Sequence, residues 1–182
     1  MLLCQSYLLI HGNIVGDRYV SGNNWAFTRE QQQRATEIAP NNYLVTSMGL
    51  GDPIDVHPAA KKPLSRRIAR KVLKYSYGFD ILADQPIFKR ATFNGESVTI
   101  ELENSDGLYA CDLNSVNMYL ADESRVLKKA KIRIDNDRLI LKSAEIKNPC
   151  IVRYAFDNCY CGALIFNKSG LPLAPFRTDK DE

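Results

Sequence analysis

The sequence predicts a chain of two parts: an α/β piece over residues 1–80, then an antiparallel β-sandwich-like domain over residues 81–182. Three observations carry this reading. Apolar residues recur every fourth position at Leu64, Ile68 and Val72, the spacing of one helix face. Farther on, Ser97-Val98-Thr99-Ile100-Glu101-Leu102-Glu103 alternates strictly between polar and apolar, the period of a strand with one buried face. Charge shifts as well: residues 1–80 carry ten basic and six acidic groups, whereas residues 81–182 carry 14 and 15.

In the first part, Thr28-Arg29-Glu30-Gln31 reads as a capping box, the Thr hydroxyl and the Gln side chain satisfying free N–H groups at a helix start. That helix ends before Pro40. Asn41-Asn42 turns the chain into Tyr43-Leu44-Val45-Thr46-Ser47-Met48, a short apolar and β-branched run bounded by Gly49 and Gly51 that reads as a buried strand. After Pro58 comes the helix of Leu64, Ile68 and Val72, with Gly78 as its left-handed stop. A strand and helix of this kind expose an apolar edge that another chain would cover, so residues 1–80 are expected to aggregate or to bind a partner.

In the second part, Val98, Ile100 and Leu102 share one strand face. Lys131-Ile132-Arg133-Ile134 alternates too, and Asp135-Asn136-Asp137 joins it to Arg138-Leu139-Ile140-Leu141-Lys142, since Asn and Asp tolerate the positive φ of a tight hairpin turn. Ile87 to Phe93, Val116 to Leu120 and Ile151 to Phe156 complete the strand set. Pro172 and Pro175 impose an extended tail that packs Leu171, Leu173 and Phe176, with Arg153 expected to pair with a carboxylate.

Composition bounds the function. The 182 residues are 45% hydrophobic and 25% charged, with mean hydropathy −0.27 and a formal charge of +3, which fits a soluble globular chain and excludes a disordered, collagenous or coiled-coil one. The longest uncharged apolar stretch, Met1 to Ile10, is interrupted by Gln5 and Ser6 and is half the ~20 residues that span a bilayer. It lacks a basic n-region, so no signal peptide is expected. Five cysteines, odd in number and widely spaced, argue against a disulfide framework, and Cys159-Tyr160-Cys161 lacks the paired spacing of a zinc site. No metal and no cofactor are expected. The run Lys61 to Lys74 holds seven basic residues and no acid. It reads as a solvated helix face opposite the apolar stripe, with Lys71 and Lys74 also favourable to the helix dipole, and no aromatic residues interleave to stack on bases, so neither nucleic acid nor a membrane is expected as partner.

Two histidines can carry chemistry. His11 has only Asp17 nearby. His57 lies in Gly51-Asp52-Pro53-Ile54-Asp55-Val56-His57-Pro58, at the carboxyl end of the expected strand and before the helix, where open α/β sheets place catalytic groups. In an extended segment residues two apart point the same way, so the Asp55 carboxylate can meet the His57 ring. An Asp so placed orients the imidazole and stabilises the imidazolium formed when His accepts a nucleophile's proton.

In two blocks the chain resembles the C-terminal portion of the sialate O-acetylesterases, SGNH/GDSL-type carbohydrate esterases. One block runs from Trp25 and Arg29-Glu30-Gln32, through Leu50-Gly51-Asp52-Pro53-Ile54-Asp55-Val56-His57-Pro58, to Lys61-Lys62-Pro63-Leu64, Arg67-Ile68-Ala69 and Tyr77-Gly78. The other is the tail, Pro149-Cys150-Ile151-Val152-Arg153-Tyr154-Ala155-Phe156, then Phe166-Asn167-Lys168-Ser169-Gly170-Leu171-Pro172-Leu173-Ala174-Pro175-Phe176-Arg177-Thr178-Asp179. Met48 departs from the acidic or hydroxyl residue of many relatives.

The resemblance implies that residues 1–80 hold the last strand and helix of an SGNH hydrolase domain, and that the reaction removes an acetyl ester from a sugar hydroxyl by Ser-His-Asp catalysis. His57 is then the catalytic base and Asp55 its partner, with Asp52 as the other candidate. The substrate is O-acetylated sialic acid or another acetylated glycan. Family members, often secreted or periplasmic, carry Ser on a Gly-Gln-Ser or Gly-Asp-Ser loop well upstream. Here Gly16-Asp17 is followed by Arg18, Ser47 lies within the expected strand, and no G-x-S-x-G elbow occurs. The expectation is a C-terminal fragment nearly inactive alone, completed by an upstream Ser-bearing hydrolase half. The alternative is a non-catalytic β-domain binding or interaction module.

Overall fold

The computed structural model describes residues 2–5, 13–15, 18–20, 24–38, 40–51 and 60–179. Two compact units form, one of Met1–Asp84 with Asp157–Tyr160 and one of Gln85–Phe156 with Cys161–Glu182.

In the first unit, β1 (Leu2–Gln5) is followed by a small hairpin of β2 (Asn13–Val15) and β3 (Arg18–Val20), then by α1 (Asn24–Ile38) and β4 (Tyr43–Thr46). Strands β1 and β4 pair in parallel, Leu2 opposite Tyr43 through Gln5 opposite Thr46. Leu44, Val45, Thr46, Ser47 and Met48 are all buried, as the apolar run implied. Asn41, at φ 61°, makes the turn into β4.

Helix α1 starts four residues before Thr28, so Thr28 is not its cap. The backbone N–H of Trp25 donates to Asn158 Oδ1 at 3.0 Å, so a residue 133 positions away satisfies an orphan group of the first turn. Thr28 lies exposed inside the helix. Helix α2 (Lys61–Tyr77) ends as expected at Gly78, whose φ of 73° is the left-handed conformation that a Cβ disfavours.

The solvated face assigned to the basic residues of α2 needs correction. Leu64, Ile68 and Val72 are half-buried, and the residue of α2 most withdrawn from water is Lys71. Lys71 follows Leu64 by seven residues and Ile68 by three, so it shares their face. It is tolerated there because its ammonium meets the Asp84 carboxylate, which Lys74 also contacts.

The second unit is built from antiparallel strands. Its first sheet has the order β10 (Lys131–Asp135), β11 (Arg138–Lys142), β6 (Ser97–Glu103), β5 (Ile87–Asn94). Asp135 pairs with Arg138 across a two-residue turn in which Asn136 takes φ 53°. Val98, Ile100 and Leu102 of β6 and Leu139 and Leu141 of β11 are buried, as the alternation required.

The second sheet runs β14 (Phe176–Arg177), β12 (Ile151–Tyr154), β8 (Met118–Ala121), β9 (Lys128–Lys129). The remaining pair is β7 (Tyr109–Ala110) with β13 (Ile165–Phe166). Phe88 stacks on Phe176 at 4.7 Å, joining an edge strand of one sheet to an edge strand of the other. Leu171, Leu173, Ala174 and Phe176 of the tail are buried.

Candidate functional site

Asp52, Asp55 and His57 lie outside the described residues, as does His11. What the structure describes is the frame on either side of the Asp52–His57 segment: the carboxyl end of β4 and the helix α2 that follows.

That frame is held by a guanidinium. Arg67, on the second turn of α2, donates from Nη1 to the carbonyl of Thr46 at 2.7 Å and to that of Met48 at 3.0 Å. A charged donor makes a stronger bond to a carbonyl than a neutral one. The chain is then turned by Leu50 N–H donating to Ser47 O at 3.0 Å and by Gly49 at φ 77°. Met48 N–H donates to Thr46 Oγ1 at 3.2 Å. Two consequences follow for the expected site. Met48, the departure from many relatives, is fully buried packing. Ser47 is buried too, only 1% exposed.

Sequence reasoning missed Arg67 as part of this frame by counting it among the solvated bases. The available signal was its place beside Ile68, on the flank of the apolar stripe.

A second polar cluster closes the far end of α2. Asp84 accepts from Lys71, from Lys74 and from the Tyr75 hydroxyl, the last at 2.9 Å. Burial alone would raise its pKa, but the hydrogen bonds from the two lysines outweigh it and hold the carboxyl below its ordinary value. The same cluster acts on Tyr75, whose pKa is pushed up to about 12, first by burial and then by its hydrogen bond to Asp84. Tyr75 also stacks on Tyr43 of β4 at 4.1 Å.

Other residues of the two resembling blocks have structural work. Arg29, 2% exposed, donates to the carbonyl of Asp157. In the tail, the buried Asn167 accepts at Oδ1 from Ser169 N–H (3.2 Å), Ser169 Oγ (2.7 Å) and Leu171 N–H (3.1 Å), and donates from Nδ2 to Asn104 O at 3.0 Å. Gly170, at φ 72°, completes that turn. Arg153 grips Asp179 with two nitrogens, the expected carboxylate partner. Burial opposes ionisation of Asp179, and the Arg153 guanidinium overcomes it, lowering the pKa. Cys111 and Cys150 are free thiols.

No protein-family model matches the sequence, and no curated protein does. Among solved structures, the chain is similar to the crystal structure of a carbohydrate acetylesterase from Xanthomonas citri, with a TM-score of 0.83 and 26% sequence identity over 99% of this chain. The chain spans 40% of the length of that esterase. This likeness supports a relationship between the chain and carbohydrate esterases.

Proposed function

We propose that this chain is the C-terminal part of a carbohydrate O-acetylesterase of the sialate O-acetylesterase kind. In this reading β4 and α2 are the last strand and helix of an SGNH hydrolase domain, residues 1–80 carry the Asp/His loop, and residues 81–182 form the appended β domain. His57 is the general base and Asp55 its partner, with Asp52 as the alternative. The nucleophilic Ser comes from a hydrolase portion outside this sequence. The observation that carries the reading is the likeness to a carbohydrate acetylesterase along nearly the whole chain, at two fifths of that enzyme's length. Arg67 supports it, because it braces the strand end from which the Asp/His segment departs.

The chemistry is a two-step acyl transfer. The Ser hydroxyl attacks the acetyl carbonyl while His57 accepts its proton, and the Asp carboxylate stabilises the imidazolium. His57 then protonates the departing sugar oxygen, leaving acetyl-Ser and a free sugar hydroxyl. Water, deprotonated by His57, attacks the acetyl-Ser, and acetate leaves as the proton returns to Ser. The substrate is O-acetylated sialic acid or another acetylated glycan.

The test measures acetate release from an activated acetyl ester and from O-acetylated sialic acid. The chain is assayed alone and mixed with the part of the Xanthomonas citri esterase outside the matched 40%, each beside a His57→Ala control. The expected result is negligible release by the chain alone and His57-dependent release in the mixture. Removing a triad base costs about 10⁴ or more in rate, so the control is decisive. Release by the chain alone that is lost in His57→Ala would mean that it carries its own nucleophile. Failure of the mixture would favour the β domain as a non-catalytic binding module.

A further inference from the structure

The outward face of α2 changes character along its length. Lys62, Arg66, Ala69, Leu73 and Tyr77 follow one another at intervals of three and four residues, so they form a single stripe, and all are exposed. The first half of the stripe is basic, with Arg70 beside it. The second half is apolar: Leu73 is 38% exposed and Tyr77 70%, and the segment beyond the helix adds Phe79 at 56% and Leu82 at 55%. Of the cations in α2, Arg67, Lys71 and Lys74 have structural partners within the unit. Lys62 and Arg66 are exposed.

Scattered single apolar residues on a surface need no explanation, but four large ones within ten residues, bordered by like charges, mark an interaction surface. The occupant is indicated by length. This chain matches an esterase along 99% of its own sequence while spanning 40% of that enzyme, so the greater share of such an enzyme has to meet this unit somewhere.

We propose that the stripe from Lys62 to Tyr77, continued by Phe79 and Leu82, is the docking surface for the hydrolase portion that supplies the Ser. Apolar side chains of that portion cover Leu73, Tyr77, Phe79 and Leu82, and acidic groups face Lys62 and Arg66. The proposal rests on the function proposed above, and the two fail separately. Burial of the aromatic half supplies the affinity, and the basic half supplies steering that weakens with salt.

The test uses the full 182-residue chain and, as the probe, the part of the Xanthomonas citri esterase outside the matched 40%. Association is followed by sedimentation, and the contact surface by hydroxyl-radical labelling. The expected result is a one-to-one complex with Tyr77, Phe79 and Leu82 protected. The double variant Tyr77→Glu, Leu82→Glu should bind about tenfold or more weakly with an unchanged melt, because both side chains already face solvent. Lys62→Glu with Arg66→Glu should slow association at low salt, with the difference fading as salt rises. Binding indifferent to these variants, no binding, or self-association of the chain through the same residues would each overturn the proposal. Acetate release that is indifferent to the stripe would overturn it while leaving the esterase reading intact. Stripe-dependent binding without acetate release would do the reverse.

Discussion

In the second unit the interior is a set of apolar faces. Val98, Ile100, Leu139 and Leu141 from one sheet, and Met118, Leu120 and Val152 from the other, are withdrawn completely from water. In the first unit the apolar stripe of α2 is only half-buried, and charged contacts locate the helix beside the Tyr43–Tyr75 stack. Arg67 holds two carbonyls at the end of β4, and Lys71 and Lys74 converge on Asp84. The difference teaches where each unit is vulnerable. An apolar interior fails by cavity formation, gradually and without regard to pH, whereas a clamp of buried charges fails when one partner is removed or neutralised.

The largest contrast is expected between Asp84→Asn and Leu141→Ala. Asp84→Asn leaves the Lys71 ammonium buried beside a neutral amide and should cost about 3–5 kcal/mol. Amide hydrogen exchange in α2 should accelerate while β6 and β11 keep their protection. Leu141→Ala should cost about 2–5 kcal/mol with the opposite pattern, fast exchange in β6 and β11 and unchanged exchange in α2. Equal loss of protection in both units after either change would dissolve the distinction.

Acid should sharpen it. Asp84 has a lowered pKa in the folded chain, so its contribution is present above the ordinary carboxylate value and is lost as pH falls through the lower folded value. Exchange in α2 should therefore rise below about pH 4, and the change should vanish in Asp84→Asn. In the second unit the Arg153–Asp179 grip on the tail should respond in the same direction, because Asp179 is lowered too. The β6 and β11 amides should respond less, since the lowered carboxyl on β6, Glu101, pairs with an exposed Arg90 in a bond that solvent screens.

These predictions also mark what was legible in the sequence. The strands of the second unit were, because alternation is local: Ser97 to Glu103 announces its buried face, and Asn136 announces the turn between β10 and β11. The burial of Lys71 was hidden by its chemistry, since a Lys among seven bases is read as solvated until its acid is found, and Asp84 lies 13 residues on. The start of α1 was misplaced because its cap comes from Asn158, 133 residues away. As for the site, Asp-x-His is a sequence motif, and the brace behind it was signalled only by the place of Arg67 beside Ile68, because Arg67 acts on backbone carbonyls that leave no mark in side-chain identity.

Arg67→Met is the next test in size. It removes two charge-assisted hydrogen bonds from strand-end carbonyls and should cost about 1–3 kcal/mol. Arg67→Lys keeps the charge but offers a point donor in place of a planar fork, so it should recover part of the loss. Both variants should speed exchange at the Met48 and Leu50 amides before any other in the unit. If Arg67→Lys restored full protection, charge alone would be holding the strand end.

The smallest expected effect bears on how the first unit acquires its helix. If the tertiary cap is what starts α1, Asn158→Ala should cost about 1 kcal/mol and fray the first turn, because the Trp25 N–H loses its acceptor. Thr28→Ala, inside the helix on an exposed position, should change stability by a few tenths of a kcal/mol or less, and in the stabilising direction if propensity alone decides. The reverse ranking would restore the local capping box and move the helix start to Thr28. The predicted ranking would mean that α1 depends for its first turn on the return of Asp157–Tyr160, so the start of this helix should be among the last parts of the first unit to become protected during refolding.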